Sequence, residues 1–201
     1  LPPIPLVDRT GPLALSFAQQ RLWFLTQFGE AVSAAYHLTL GVRMRGRLDR
    51  RALQRALDAI VARHEALRAT FTTLDGEAIQ KIAPVDVGFA LEEDDLVDAL
   101  DKDDALRALA EREAATAFDL ERGPLIRGRL ARLDAEDHAL LLTMHHIVSD
   151  GWSMGVLTSE LSTLYGAFCR GETGPLPALP VQYADYAAWQ RQWLNGERLQ
   201  R

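Results

Sequence analysis

The stretch Ala139-Leu140-Leu141-Leu142-Thr143-Met144-His145-His146-Ile147-Val148-Ser149-Asp150-Gly151-Trp152-Ser153 decides the fold class. Ala139–Met144 is a short, strongly apolar run that reads as a strand. It ends on two adjacent histidines and a loop, after which the pattern turns helical near 153–170. Neighbours on extended chain point to opposite faces, so one histidine faces a cleft and the other packs inward. A rigid strand aims such groups and the loop behind it lets them reach a substrate.

Working outward, Gly123-Pro124 leads into a strand near 125–133, and Asp134–Asp137 turns that strand into Ala139–Met144. Further upstream, Tyr36, Leu38, Leu40, Val42 and Met44 alternate with polar or small residues, the pattern of a half-buried strand. Asp49 is placed to cap a helix carrying Leu53, Ala56, Leu57, Ile60 and Val61 on one stripe. Asp75-Gly76 predicts a hairpin turn between Ala69–Leu74 and Ala78–Ile82. Val87, Phe89 and Leu91 form another short alternation, and the acids of 92–104 open an expected helix of about 96–116, near its positive N-terminus. Ser16 and Gln19 have capping-box spacing for a helix to about Gln27, and a last helix carries Tyr183, Tyr186, Trp189 and Trp193. Strands and helices intermix without a strict βαβ rhythm. The expectation is an α+β fold, a mixed or antiparallel sheet with helices packed on it.

The 201 residues fit one domain, and 48% hydrophobic with 25% charged residues excludes wholesale disorder. A net charge of −6 argues against nucleic acid as the main partner. Cys169 is the single cysteine, which rules out an intrachain disulfide, makes a zinc ribbon implausible and suits a reducing, cytoplasmic location. There is no apolar run of membrane-spanning length and no signal-peptide pattern, so no membrane partner is expected. Leu1-Pro2-Pro3-Ile4-Pro5 reads as a proline-rich linker and the last residues stop inside a helical run, so the chain is read as a piece of a longer one.

Several chemistries compete for the histidine pair. His145, His146 and Asp150 are all possible zinc ligands, but adjacent histidines diverge and no other ligand cluster is visible. A serine hydrolase would need a Gly-x-Ser-x-Gly elbow, and nucleotide chemistry a glycine-rich phosphate loop; neither is present. Asp150 can fix a histidine tautomer or anchor the loop through an arginine. Gly151 permits a turn that a side chain would obstruct, and can leave its N–H open to substrate.

His145-His146-Ile147-Val148-Ser149-Asp150-Gly151 resembles the HHxxxDG motif of the condensation domains of non-ribosomal peptide synthetases, in the chloramphenicol-acetyltransferase-like superfamily. Three further stretches follow that family's order. Ser16–Leu25 is similar to SxAQxRLWFL, Arg63–Phe71 to RHExLRTxF with Ala69 in place of Thr, and Tyr183–Trp189 to YxDYAxW. The resemblance covers the chain but only the first half of such a domain. It implies a leader over 1–14, an N-terminal lobe over 15–175, and over 176–201 the start of the crossing to a missing C-terminal lobe.

The resemblance further implies amide-bond formation between two thioesters, donor acyl or peptidyl and acceptor aminoacyl, each on the phosphopantetheine arm of a carrier protein. No cofactor is expected to bind directly, and a neighbouring adenylation domain is an expected partner. His146 would face the tunnel where the arms meet, as general base or positioning group, while His145 packs and orients. Asp150 would hold the loop through an arginine, Arg63 and Arg68 being the candidates in this half and the missing lobe another source, and Gly151 N–H would help hold the oxyanion. Trp152 and Ser153 would shape the loop and cap the helix behind it. Trp23, Tyr186 and Trp189 are read as core aromatics, and His37, His64 and His138 as structural. The motifs look like those of an elongating domain; a dual epimerising and condensing domain, a non-catalytic docking module and an acyltransferase using a soluble thioester stay open.

Overall fold

In a computed structural model that describes residues 2–194, the chain runs through seven strands and six α-helices. In order these are β1 (Leu13–Ala14), α1 (Phe17–Thr26), α2 (Glu30–Ala34), β2 (His37–Arg45) and α3 (Arg50–Arg63), then a 3-10 turn (Glu65–Arg68). They continue with β3 (Ala69–Leu74), β4 (Glu77–Ile82), β5 (Leu91–Asp95), α4 (Lys102–Ala115), β6 (Ile126–Asp134), β7 (Asp137–His145), α5 (Gly151–Cys169) and α6 (Tyr183–Trp193). One sheet has the order β2-β7-β6-β5, with β5 parallel to β6 and the other pairs antiparallel; a smaller antiparallel sheet has the order β1-β4-β3. The expected α+β class with a mixed sheet is what the structure shows.

β7 is the strand on which the site depends. It pairs β2 on one side, from His37 opposite His145 to Arg45 opposite Asp137, and β6 on the other. Helices cover both faces. Leu140, Leu142 and Met144 belong to the main core with Leu53, Leu57 and Ile60 of α3 and Leu157, Leu161 and Leu164 of α5. Ala139 and Leu141, one residue out of phase, pack with Leu109 of α4, Ala131 and Leu133. A fully buried leucine contributes roughly 1.5–3 kcal/mol, so this two-sided packing fixes the register: a slip of one residue would exchange the two cores.

Local signals explain the elements. Ser16 accepts from Gln19 N at 3.1 Å while Gln19 Oε1 accepts from Ser16 N at 2.9 Å, a complete capping box. Asp49 accepts from Ala52 N at 2.9 Å and starts α3, whose buried stripe is the expected Leu53, Ala56, Leu57, Ile60 and Val61 with Ala52 added. The β3–β4 hairpin turns on Asp75 (φ 51°) and Gly76 (φ 84°), both in the left-handed region that a two-residue turn of this kind needs.

The acidic run departs from expectation. Glu92 to Asp95 lie in strand β5, not at the head of a helix, and α4 begins at Lys102 behind its cap Asp101. The reason is cationic partners across the sheet. Arg129 meets Glu92 at 2.7 Å and Asp94 at 3.1 Å, Arg132 meets Asp95 at 3.0 Å, and Arg50 pairs with Glu93. The segment before β1 is also tied down, with Val7 N donating to Asp185 at 2.9 Å and Arg9 bridging Asp185 and Glu65.

Candidate functional site

The alternation that divides the core divides the two histidines. His145 closes β7 on the α4 side and is completely buried, edge-on to His37 and Phe118. Ile147 N donates to its Nδ1 at 3.1 Å, so the proton of the neutral ring sits on Nε2, 3.3 Å from Ser33 Oγ. Burial, reinforced by the neighbouring His37 and His146, pushes its pKa down to about 4. His145 is therefore a neutral, packed residue. His146 extends the strand by one step, its N–H donating to Tyr36 O at 2.8 Å, and its half-buried side chain lines a cavity.

That cavity holds about 500 Å³ and is mostly apolar, with Gln19, His64, His146, Asp150, Tyr183 and Tyr186 among the lining residues. It lies where α1, α5, α6 and the 3-10 turn converge on the end of β7. Gln19 reaches across to Ile147 O at 3.4 Å, and Tyr183 OH lies 3.0 Å from Ser16 Oγ. Burial holds the Tyr183 phenol above its ordinary range.

Among the described residues Asp150 is paired with no arginine. It is the N-cap of α5, its carboxylate accepting from Ser153 N at 2.8 Å and Ser153 Oγ at 2.7 Å, and these bonds lower its pKa. Both candidate arginines are engaged elsewhere. Arg63 donates to Glu160 Oε1 at 3.0 Å and to the Pro177 carbonyl. Arg68 donates to Val61 O at 3.0 Å, Ala62 O at 3.3 Å and the Ala83 carbonyl, satisfying acceptors at the end of α3. Among the described residues neither pairs with Asp150.

Other expected site residues are placed as follows. Gly151 opens α5 without a left-handed φ, and a Cβ there would meet nothing within 4 Å, so no turn demands glycine at this position. Its N–H belongs to the first, unsatisfied turn of the helix. Ser153 completes the capping box with Asp150, while Trp152 is 84% exposed at the cavity. Trp23 is half-buried and packed against the main core, whereas Tyr186 and Trp189 are half-buried outside it, Tyr186 lining the cavity. His37 bonds Ala114 O at 2.7 Å, and His138 is buried in β7.

His64, read from sequence as structural, also lines the cavity, its Nε2 2.6 Å from Glu160 Oε2. Its only sequence signal is its place beside Arg63; Glu160, 96 residues on, carries none. Among the described residues no group of His, Cys, Asp and Glu is arranged to hold a metal ion, and no helix is long and apolar enough to cross a membrane.

The chain is similar to segments of known peptide synthetases. It is 52% identical over 197 residues to malpibaldin synthetase of Mortierella alpina, covering 98% of this chain and 4% of that protein. It is 48% identical over 193 residues to the cyclosporin synthetase of Tolypocladium inflatum, covering 94% of this chain and 1% of that one. The chain thus spans only a few per cent of these relatives. Among solved structures, the X-domain in complex with OxyB from teicoplanin biosynthesis superposes with a TM-score of 0.87 at 34% identity, covering 99% of this chain and 42% of that one. The first condensation domain of the calcium-dependent antibiotic synthetase, in complex with a substrate analogue, gives 0.82 at 26%, covering 95% of this chain and 45% of that one. The family model for the condensation domain matches residues 10–201, and with the cavity and its histidine pair already in place, the chain belongs to the condensation domain family.

Proposed function

We propose that this chain is the N-terminal lobe of an amide-forming condensation domain of the elongating type. In this reading a donor acyl or peptidyl thioester is attacked by the amine of an acceptor aminoacyl thioester, both delivered on phosphopantetheine arms by cytoplasmic carrier proteins. A second lobe covers the site, and an adenylation domain is a neighbour. The observation that carries the reading is His146, set at the end of a strand buried on both faces and lining an apolar cavity.

The chemistry asks little of a base. An α-amino group titrates near 8, roughly, so an unprotonated fraction exists at neutral pH, and a thioester is already activated. General-base help typically gives about 10²–10⁴-fold, and alignment of two bound reactants can supply as much or more. His146 orients the amine and accepts its proton, held in place by its backbone bond to Tyr36. The apolar lining excludes water that would hydrolyse the donor.

A second reading, a docking platform without chemistry, is favoured by one observation: the 34% identical X-domain was solved in complex with another protein, OxyB. A single-turnover assay separates the two. The complete two-lobe domain, its His146→Ala variant and this chain alone are each mixed with loaded donor and acceptor carriers, and amide is followed by mass spectrometry. Amide from the complete domain that is lost in the variant supports condensation. No amide with any donor while the carriers stay loaded supports docking. The chain alone is expected to be inactive.

A further inference from the structure

We infer that His64 and Glu160 form the outlet through which the condensation cavity sheds its proton. The inference rests on the amide-forming reading above and deepens it. An acceptor that arrives as an ammonium loses two protons as its nitrogen bonds the donor carbonyl carbon and the carbon–sulfur bond breaks. One ends on the departing thiolate, giving the thiol. The other is released in every turnover, and a single histidine at the reacting atoms must pass it on before it can act again.

The cavity holds a second imidazole placed for this. His64 ends α3, its N–H bonded to Ile60 O at 3.0 Å, and its Nε2 lies 2.6 Å from Glu160 Oε2. The carboxylate accepts from Nε2–H, which leaves the Nδ1 lone pair free to accept a proton. Arg63 Nε holds the other carboxylate oxygen at 3.0 Å, and both Arg63 and Glu160 are largely buried, so Glu160 is fixed in place. Glu160 lies ten residues along α5 from Asp150, about 15 Å of helix. Glu160 therefore stands away from the loop of His146, behind His64, which lines the same cavity.

The charged and titratable groups around His64 are few. Arg63 and Glu160 touch the pair, Glu65 is next in sequence and engaged by Arg9, and His146, Asp150, Tyr183 and Tyr186 share the cavity. Asp150 is committed to Ser153. His64, bonded to Glu160 behind it, is thus the one histidine lining the cavity that is paired with a carboxylate among the described residues.

The test is single-turnover condensation by the complete two-lobe domain with loaded carriers, from pH 6.5 to 9. His64→Gln is the informative variant, because its amide nitrogen can keep the bond to Glu160 while losing the ability to take a proton; Glu160→Gln removes the carboxylate that orients the ring. Thermal melting checks that both are folded. The expected result is a loss of about tenfold or more at pH 6.5, the low end of what a positioned acid–base group contributes. It shrinks by pH 9, where the amine arrives unprotonated. It is absent with an aminooxy acceptor, which needs no deprotonation to attack, and added imidazole restores part of it. A loss equal at all pH values and for both acceptors makes the pair structural and overturns the inference, as does an unchanged rate. If the unaltered domain makes no amide, the amide-forming reading itself fails and the outlet with it.

Discussion

Replacing His145 by Asn tests whether β7 seals its last residue from water. The Asn carbonyl can take over from Nδ1 as acceptor for Ile147 N–H, now at 3.1 Å, so the loop keeps its bond while the titrating ring is lost. The folded ring has its pKa pushed from 6.5 to about 4 by burial. Because the folded value lies below the unfolded one, the unfolded chain takes up the proton first as pH falls. Stability is complete above the unfolded value, declines as pH drops towards 4, and levels off below. Linkage puts the loss at about 1 kcal/mol at pH 6, about 2 kcal/mol at pH 5 and about 3 kcal/mol at pH 4. Burial lowers the pKa of His37 and His138 as well, so they add losses of the same sign. The measurement is therefore a difference: urea unfolding of parent and variant at each pH, with the parent's advantage shrinking by those amounts. Parallel stability curves for the two proteins would refute the reasoning, since they would mean that the ring titrates as it does in water.

Gly128 faces Phe89, and a Cβ there would stand 2.6 Å from its ring, so Gly128→Ala is expected to lower stability by about 1–3 kcal/mol in urea unfolding. Glu113, buried to 4% exposure, accepts from Arg127 at 2.7 Å and Arg129 at 2.8 Å; Glu113→Ala removes these two charged hydrogen bonds, Arg129 keeping Glu92 and Asp94, and should cost about 1.5–3 kcal/mol. A Glu113→Ala variant as stable as the parent would show that α4 is not pinned to β6 by this bridge. Asp185, fully buried, accepts from Val7 N, Arg9 and Gln182 N, so Asp185→Ala should release the segment before β1. Limited proteolysis would detect faster cleavage ahead of Leu13, and an unchanged pattern would contradict that anchoring role.

What the sequence makes legible here is whatever depends on local period. The alternation from Tyr36, the stripe of α3, the Asp75-Gly76 turn and the apolar run of β7 each carry their own signal. Alternation along a strand put one of the two histidines on a cleft, and the family resemblance picked His146. Long-range partners are what sequence could not supply. The acids of β5 look like a helix start until Arg129 and Arg132 are known to lie beside them. Arg63 and Arg68 sit in a recognisable motif, but which acceptors they meet depends on α5 lying against α3 and on the path of the chain near Ala83 and Pro177. His64 stayed hidden for the same reason: its partner comes from a helix 96 residues away.

The different engagements of the two candidate supports bear on what His146 is asked to do. A hydrolase that activates a serine hydroxyl must generate something close to an alkoxide, and a carboxylate holding the histidine stabilises the imidazolium that results. Here Asp150, the carboxylate nearest in sequence, is bonded to Ser153 at the head of α5, and among the described residues no carboxylate forms an ion pair with His146. His145 is neutral and buried, so it offers no charge either. An unassisted imidazole on an apolar wall is poorly equipped to deprotonate an alcohol and adequately equipped for an amine, whose conjugate acid titrates near 8, roughly. On the proposed amide-forming reading this construction suits an amine nucleophile and an already activated acyl donor, and the carboxylate–histidine pairing falls to His64.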